Sequence, residues 1–331
     1  MDRLTLERHQ VWIYLAAIVA GLALGSTWPG IGSHLETLLW PVLAVLLYAT
    51  FVQVPLLHVR DAFRDLRFVL AIMTGNFVLI PLAVWLILQW LPDDPALRLG
   101  VLLVLLVPCT DWFITFAQIG RGNTAQAVAA TPLNLLAQLL LLPAYLWLML
   151  PAADFSAVLQ MENILPAALA LIGLPLLAAI FTEYWIEKKP GRAIWRERLG
   201  WWPVPLLAVV VFLIAGAQVG IIVRYAGPLL LTVLPVFAGF LLIAALIARL
   251  LTRVLRLPMN SGRTLAFSLG TRNSFVVLPF ALVLPAGWEA TAVIIVFQSL
   301  VELFGMVFYL WWLPNRLFRE TSIAVIQRNP P

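Results

Sequence analysis

Charged side chains are scarce in this chain of 331 residues. Asp, Glu, Lys and Arg together make up 11% of it, and 63% is hydrophobic. An ordinary soluble domain is about 25% charged and about 45–50% apolar, so a soluble enzyme and a disordered chain are excluded. The apolar residues suffice for about ten membrane-spanning segments of ~20 residues each. The composition therefore predicts an integral membrane protein.

Cysteine and histidine are also rare. Cys109 is the one cysteine in the sequence, which excludes an intrachain disulfide. His9, His34 and His58 fall in the predicted tail and loops, so a cysteine nucleophile would have no histidine base within the membrane. Walker and dinucleotide-binding motifs are missing as well. We therefore expect no enzymatic activity, no primary pump, no cofactor and no resident metal.

Ten hydrophobic runs separated by charged loops predict ten transmembrane helices. Runs of this length in lipid must be helical, because no water is present to satisfy the backbone. The predicted spans are Val11–Ser26, Leu38–Leu57, Phe68–Leu91, Leu99–Gln118, Ala125–Leu150, Ile164–Glu183, Pro203–Val223, Leu229–Leu251, Thr264–Leu284 and Ala290–Trp312.

The basic residues indicate the orientation. Of the 21 Lys and Arg side chains, 18 fall in segments that are cytoplasmic if the N-terminus is cytoplasmic. The opposite side holds Arg98 and Arg224, and Arg272 lies inside a span. Since cytoplasmic loops carry an excess of Lys and Arg, the pattern predicts a plasma-membrane protein with both termini in the cytoplasm. The net charge of +5 then reflects contact with the anionic lipid bilayer, and no nucleic-acid partner is expected.

The longest basic loop, Glu183–Trp202, divides the ten spans into five and five. Because five is odd, the two halves must have opposite topology, as in inverted-repeat transporters. The sequence thus predicts an all-α membrane protein with one repeat in residues 1–152 and an inverted repeat in residues 153–331, which includes a cytoplasmic C-terminal tail.

Polar residues interrupt the fourth span of each half. The first break is Pro108–Asp111 and the second, in the ninth span, is Ser268–Ser274. Inverted-repeat transporters place their sites where such discontinuous helices meet near the midplane. Asp111 and Arg272 each cost about 2.5–3.5 kcal/mol at a helix centre. We therefore predict an ion pair across the crossing of helices 4 and 9; alternatively, each charge stabilises the ends of its own half-helices.

Other polar residues recur at helical spacing in the spans. Glu302 follows Gln298 by one turn in the tenth span, and either binds a proton or hydrogen-bonds a neighbouring helix. Asn134 and Gln138 repeat this spacing in the fifth span, and Asn76 lies in the third. Amides at such positions join helices more often than they bind ligands.

Cys109 lies between a helix-breaking proline and the polar pair Thr110-Asp111. A cysteine beside a helix N-terminus or an arginine is expected to be reactive, and its soft sulfur prefers thiophilic metal and metalloid ions. The alternative is that Cys109 packs as a small apolar side chain.

Several local patterns occur in register over five spans. They are Cys109 with Arg121-Gly122-Asn123 twelve residues on, Asn134 with Gln138, Gly173-Leu174-Pro175-Leu176, Glu302, and Asn76 with Pro81. In these features nearly the whole chain resembles the arsenical-resistance permeases, arsenite efflux carriers within the bile acid/sodium symporter superfamily. The resemblance implies a ten-helix fold with a panel domain and a core domain, crossed helices 4 and 9, and export of trivalent metalloid in exchange for protons.

The ninth span departs from the family's pattern. Arsenite carriers have a glutamate shortly after Asn-Asn-Phe, whereas the corresponding stretch here, Asn273-Ser274-Phe275-Val276, has none. Sodium-coupled relatives place ion-binding Glu and Gln at the positions of Ser268 and Arg272. A guanidinium there fills the space of a sodium ion and repels a second cation, so we expect no sodium coupling. Asp111 also lacks a counterpart in the family.

The sequence predicts a secondary carrier that exports arsenite or antimonite in exchange for protons. The alternative is a sodium-independent organic-anion carrier in which Arg272 recruits the anion. The predicted partners are thus a small inorganic or organic anion, protons and the bilayer. The predicted substrate-binding residues are Cys109, Thr110, Arg272, Asn273 and Ser274; Asp111 and Glu302 are the proton-binding residues; Asn134, Gln138, Ser268, Thr271, Gln298 and Asn76 are supporting polar residues.

Overall fold

The computed structural model describes residues 3–110, 112–151 and 164–319, and the described chain is almost entirely helical. Its α-helices are α1 (Arg3–Thr27), α2 (Gly32–Phe51), α3 (Leu66–Thr74), α4 (Ile80–Leu88), α5 (Pro95–Leu106), α6 (Trp112–Ile119), α7 (Thr124–Met149), α8 (Ile164–Glu187), α9 (Ala193–Leu199), α10 (Pro203–Ala217), α11 (Val219–Pro228), α12 (Leu234–Val254), α13 (Met259–Gly270), α14 (Ser274–Leu282) and α15 (Glu289–Trp312). Short 3-10 helices cover Pro29–Ile31, Leu56–Arg64 and Pro190–Arg192, and wide π-helical turns cover Gly75–Leu79, Leu229–Val233 and Leu313–Leu317.

Within the described residues, 8 helical stretches are long and apolar enough to cross a membrane. This confirms an all-α membrane protein. The fourth and ninth predicted spans are not among the eight, because each is interrupted. α5 has 12 residues and is therefore about 18 Å long, short of the ~30 Å hydrocarbon core. The count of ten spans stays a prediction.

The predicted loop between the seventh and eighth spans is wrong. The sequence pattern places a loop between Val223 and Leu229, but the chain there is helical, and a single apolar stretch runs over Val219–Val254. The preceding helix, α10, ends instead at Ala217, because Gln218 leaves the helical conformation (φ −109°, ψ 26°). The helix break thus precedes the polar residue Arg224 instead of coinciding with it.

Matching irregularities occur in the two halves of the chain. The wide turn Gly75–Leu79 interrupts the third span just before Pro81, and Leu229–Val233 interrupts the eighth just before Pro235. The fourth and ninth spans break one span later in each half. Such a pairing is what two repeats would produce, and the two-repeat organisation stays a prediction. The division at residues 152 and 153 lies outside the described residues and stays a prediction.

Two groups of helices pack separately. α1, α2, α8 and α10 pack mainly on one another, and α3–α7 with α12–α15 surround the two breaks. This agrees with the expected panel and core. In the panel, Gly21 and Gly25 of α1 lie directly against α10: a Cβ atom on Gly21 would come 2.3 Å from the Phe212 carbonyl oxygen, and one on Gly25 would come 2.2 Å from that of Gly216. Small residues four apart allow membrane helices to approach this closely.

Candidate substrate and ion site

The two helix breaks lie against each other. Pro108 and Arg272 form an isolated antiparallel bridge. On either side, the Cys109 backbone N–H donates to Thr271 O at 3.1 Å and that of Asn273 donates to Val107 O at 2.8 Å. The predicted crossing is thus observed. α5 and α13 end at it and α6 and α14 begin beyond it, so the negative ends of two helix dipoles and the positive ends of two others meet there.

Arg272 places its guanidinium at the C-terminal ends of both α5 and α13. It is 2% exposed. Nη1 donates to Leu105 O at 3.2 Å, and Nη2 donates to Ser268 O at 3.0 Å and to Leu269 O at 2.6 Å. These carbonyls belong to the last turns, which lack partners within their helices. The cation therefore stabilises two half-helix ends, as one of the alternatives expected. Asp111 lies outside the described residues, so its ion pair with Arg272 stays a prediction.

Asn76 joins the third span to this cation. Its Oδ1 accepts from Arg272 Nη2 at 2.9 Å, and its Nδ2 donates to Ser268 Oγ at 3.1 Å. Asn134 Nδ2 of α7 donates to the same hydroxyl at 3.5 Å. All four side chains are buried. Polar residues predicted separately in the third, fifth and ninth spans thus form one hydrogen-bonded group.

Glu302 and Gln298 of α15 face the break of the ninth span. Glu302 Oε2 accepts from the Arg272 backbone N–H and from Gln298 Nε2, both at 2.7 Å. Gln298 Oε1 accepts from the Ser274 hydroxyl at 2.9 Å. Because these three side chains are buried, the carboxyl group of Glu302 is held in the membrane by one hydrogen bond from the Arg272 backbone, just after α13, and one from Gln298 of its own helix.

Cys109 and Thr110 belong to the fourth-span break, and Asn273 of the ninth-span break contacts Thr110. Asn273 Nδ2 donates to Thr110 Oγ1 at 3.0 Å, while its Oδ1 caps α14 by accepting from the Val276 backbone N–H. Cys109 is 2% exposed, and its backbone N–H is bonded across the crossing to Thr271 O, next to Arg272. The residues that carry a thiol, a hydroxyl, an amide and a guanidinium thus meet at the crossing.

Two predicted supporting residues do not join the hydrogen-bonded groups. Thr271 donates to Phe267 O of its own helix at 2.7 Å. Gln138 is 2% exposed, and within the described residues neither of its amide atoms has a hydrogen-bond partner. Burying an amide without partners costs about 1–3 kcal/mol. Gln138 therefore offers a donor and an acceptor that a substrate or ion could use.

Arg263 has a role that the sequence pattern missed. The ninth span was expected to begin at Thr264, with Arg263 in a cytoplasmic loop, but α13 begins at Met259 and Arg263 is 4% exposed. It donates to Phe318 O at 2.8 Å and to Arg121 O at 3.0 Å. The signal in the sequence was Pro258 directly before Met259, because a proline is tolerated at the start of a helix but not in its interior.

Comparison with known proteins gives the family. The family model described as Sodium Bile acid symporter family matches residues 40–225, more than half of the chain. The chain belongs to this family. Arsenical-resistance protein Acr3 of Corynebacterium glutamicum is 25% identical to it over 93% of this chain and 89% of its own length. An uncharacterized transporter of Synechocystis, slr0944, is 24% identical over 61% of this chain and 60% of its own length.

Membership of the Sodium Bile acid symporter family confirms the predicted resemblance. It also confirms that the protein is a transporter of the bile acid and arsenical permease kind and is not an enzyme. The match of the family model includes the break at Pro108 and the pair Asn134 and Gln138, and it ends before Arg272 and Glu302. The similarity to Acr3, by contrast, extends over nearly the whole chain.

Proposed function

We propose that this transporter exports arsenite, antimonite or a similar trivalent metalloid in exchange for protons. The observation that carries the proposal is the Arg272 guanidinium held between the two broken helices, with Cys109 next to the backbone bridge that joins Pro108 to Arg272. The similarity to an arsenical-resistance protein over 93% of the chain supports the substrate class.

The surroundings of Arg272 argue against sodium coupling. Its guanidinium is bound by four oxygen atoms: the carbonyl oxygens of Leu105, Ser268 and Leu269, and Oδ1 of Asn76. Carbonyl and amide oxygens are the ligands that a hard cation would use. A second cation about 4 Å from the guanidinium would be repelled by about 4 kcal/mol at an effective dielectric constant of 20. The Arg272 guanidinium, a cation tethered to the chain, thus takes the place of a mobile sodium ion. The coupling ion is therefore a proton.

Cys109 would bind the metalloid through its soft sulfur. The thiol reacts with a trihydroxy metalloid without any redox step: a sulfur–metalloid bond forms, one metalloid hydroxide leaves, and the thiol proton goes to it to make water. Thr110, Asn273 and Ser274 supply hydroxyl and amide groups near this position for the remaining metalloid hydroxyls.

Asp111 and Glu302 would carry the proton. Protonation of Glu302 removes the charge that accepts from the Arg272 backbone and from Gln298, and charge-assisted hydrogen bonds are about twice as strong as neutral ones. Protonation of Asp111 would likewise weaken its attraction to Arg272. Either event alters the contacts of the ninth-span break and so shifts the balance between inward-open and outward-open states.

One observation favours the alternative of an organic-anion carrier. An open groove of about 620 Å³ lies between α2 and α8, next to Val283 at the end of α14. Its lining is apolar and includes Trp40, Leu171 and Leu174. Cavities of about 300–1,000 Å³ with mostly apolar walls are typical of sites for organic ligands.

Uptake into everted membrane vesicles tests both functions. We expect accumulation of arsenite or antimonite that needs a proton gradient, is indifferent to sodium and is lost in Cys109→Ser vesicles, whose expression is matched by immunoblot. Accumulation that needs sodium and ignores the proton gradient would overturn the coupling. A bile acid transported equally by the wild type and Cys109→Ser, without metalloid transport, would establish the organic-anion alternative.

A further inference from the structure

Three side chains that can bind metal ions meet at the C-terminal end of α8, away from the helix crossing. Glu183 and Glu187 are four residues apart and therefore share one face of α8. His58 reaches them from the 3-10 helix Leu56–Arg64, in which it has a non-helical conformation (φ −108°, ψ 24°). Its Nδ1 lies 3.4 Å from Glu187 Oε1 and 3.8 Å from Glu183 Oε1, and all three ligand atoms lie within 4.8 Å of one another.

The carboxylate of Glu183 is buried and incompletely satisfied. It is 1% exposed, and its Oε2 accepts from the Leu57 backbone N–H at 3.2 Å. Its Oε1, which points toward His58, has no hydrogen-bond partner within the described residues. A buried charged oxygen of this kind calls for a cation. The side chains of His58 and Glu187 are 50% and 35% exposed, so an ion can reach the cluster from solvent.

The spacing and chemistry of the three ligands fit a transition metal. Ligands about 2.1 Å from a tetrahedral ion are about 3.4 Å apart, close to the separations between His58 and the two carboxylates. One imidazole nitrogen and two carboxylate oxygens suit zinc and similar divalent ions. We propose that His58, Glu183 and Glu187 bind one divalent transition-metal ion, with water as a fourth ligand.

Arg196 of α9 occupies the same place as the ion would. Its Nη2 lies 3.6 Å from Glu183 Oε1 and 3.9 Å from Glu187 Oε1, both longer than a hydrogen bond. Neither Nε nor Nη2 of Arg196 has a hydrogen-bond partner in the described part of the chain. Arg196 therefore balances the charge of the carboxylates through loose contacts only. A doubly charged ion displaces it, so metal and Arg196 compete for the same two carboxylates.

The proposed site joins separate parts of the fold. The helix Leu56–Arg64 lies between the second and third predicted spans, whereas α8 is the sixth. A bound ion would hold the helix Leu56–Arg64 against α8 and raise the temperature at which the protein unfolds. The site shares no residue with the crossing, so the test of metal binding does not depend on the proposed transport activity. The sequence pattern gave no sign of it, because His58 and the two glutamates are far apart in the chain.

Zinc binding to the purified full chain in detergent, stripped of metal with a chelator, tests the proposal. Calorimetry should show one zinc ion bound per chain, and cobalt should give the intense visible absorption of a tetrahedral site. We expect His58→Asn and Glu187→Gln to weaken binding about tenfold or more. His34→Asn is the matched control, because it removes another histidine and should leave binding unchanged.

The competing arginine gives a second measurement. Arg196→Gln removes the competing cation without removing a ligand, so zinc should bind several-fold more tightly. An absence of saturable binding to the wild type, or equal binding to the His58→Asn variant, would overturn the site. Unchanged affinity in the Arg196→Gln variant would overturn the competition. Thermal unfolding of each metal-free variant shows whether it is folded, and zinc should raise the unfolding temperature of the wild type but not of His58→Asn.

Discussion

Arg272 Nη2 donates a 2.9 Å hydrogen bond to Asn76 Oδ1, although 196 positions separate the two residues in the chain. The amide comes from the wide turn Gly75–Leu79, and the guanidinium comes from the break of the ninth span. Nη1 of the same guanidinium binds Leu105 O in the fourth span. One buried cation therefore holds together three spans that the chain presents as separate helices.

Replacing Arg272 by glutamine should destabilise the protein. Gln cannot reach the carbonyls of both α5 and α13, so several buried acceptors lose their donor, and each costs about 1–3 kcal/mol. We expect a fall in stability on the order of 3 kcal/mol, seen as a lower unfolding temperature in detergent. The unfolding temperature of Arg272→Lys should lie between those of the wild type and Arg272→Gln, because an ammonium group keeps the charge but cannot reproduce the fork of donors. Equal unfolding temperatures for wild type and Arg272→Gln would contradict this role.

The same position allows a test of ion coupling. Ser268→Glu with Arg272→Gln places a carboxylate and an amide where sodium-coupled relatives are expected to bind the ion. Sodium should then raise the unfolding temperature of the double variant and leave that of the wild type unchanged, with potassium at equal ionic strength as the control. A sodium effect of the same size on the wild type would contradict the view that Arg272 is a tethered cation.

Removing the side-chain amide should have opposite effects on stability at Gln138 and at Asn76. Gln138→Leu removes polar atoms that have no partner within the described residues, so stability should be equal or higher by about 1 kcal/mol. Asn76→Leu leaves Arg272 Nη2 and Ser268 Oγ each short of a partner, and stability should fall by about 2 kcal/mol. If Gln138 binds substrate, its variant should unfold at or above the wild-type temperature and still lose transport. Full transport by Gln138→Leu would contradict a binding role.

The sequence predicted the crossing because polar residues interrupt apolar spans at Pro108–Asp111 and at Ser268–Ser274, and such interruptions are visible without any tertiary information. It also identified Asn76, Asn134 and Glu302, since a buried amide or carboxyl in a span needs a partner. The all-α fold followed from apolar length and from the lack of water to satisfy a backbone in lipid.

Only some partners of Arg272 could be predicted. The carbonyl oxygens of its own half-helix end were one of the two alternatives, and the ion pair with Asp111 stays a prediction. The contacts with Leu105 O of α5 and Asn76 Oδ1 were not foreseen, because only the way the spans meet brings those oxygens within reach. The helix around Arg224 was also misplaced, because a polar residue there suggested a loop. Local composition does not record such long-range geometry.

Glu302→Gln should separate the fold from proton coupling. Glutamine keeps an acceptor for the Arg272 backbone N–H, so the unfolding temperature should change little. It has no titrating proton, and transport in vesicles should no longer be driven by a proton gradient, although exchange of labelled for unlabelled substrate persists. The companion is the double variant in which Gln298→Glu is added to Glu302→Gln, because it again has one carboxyl group, one turn away from the original position. Gradient-driven uptake by Glu302→Gln equal to that of the wild type would exclude Glu302 as the proton site.

The contact between α1 and α10 gives a prediction that depends on packing alone. A Cβ atom on Gly21 would come 2.3 Å from the carbonyl oxygen of Phe212, a backbone atom that cannot move aside by rotating a side chain. Gly21→Ala should therefore push the two helices apart and lower stability by about 1–3 kcal/mol. Gly239→Ala is the matched control, because Gly239 is also inside a helix and a Cβ atom there meets nothing within 4 Å. Alanine loses less conformational entropy on folding than glycine, so this variant should be more stable by about 0.5–1 kcal/mol. Thermal unfolding of both variants in the same detergent measures the difference, and equal shifts would mean that α1 and α10 are not in this close contact.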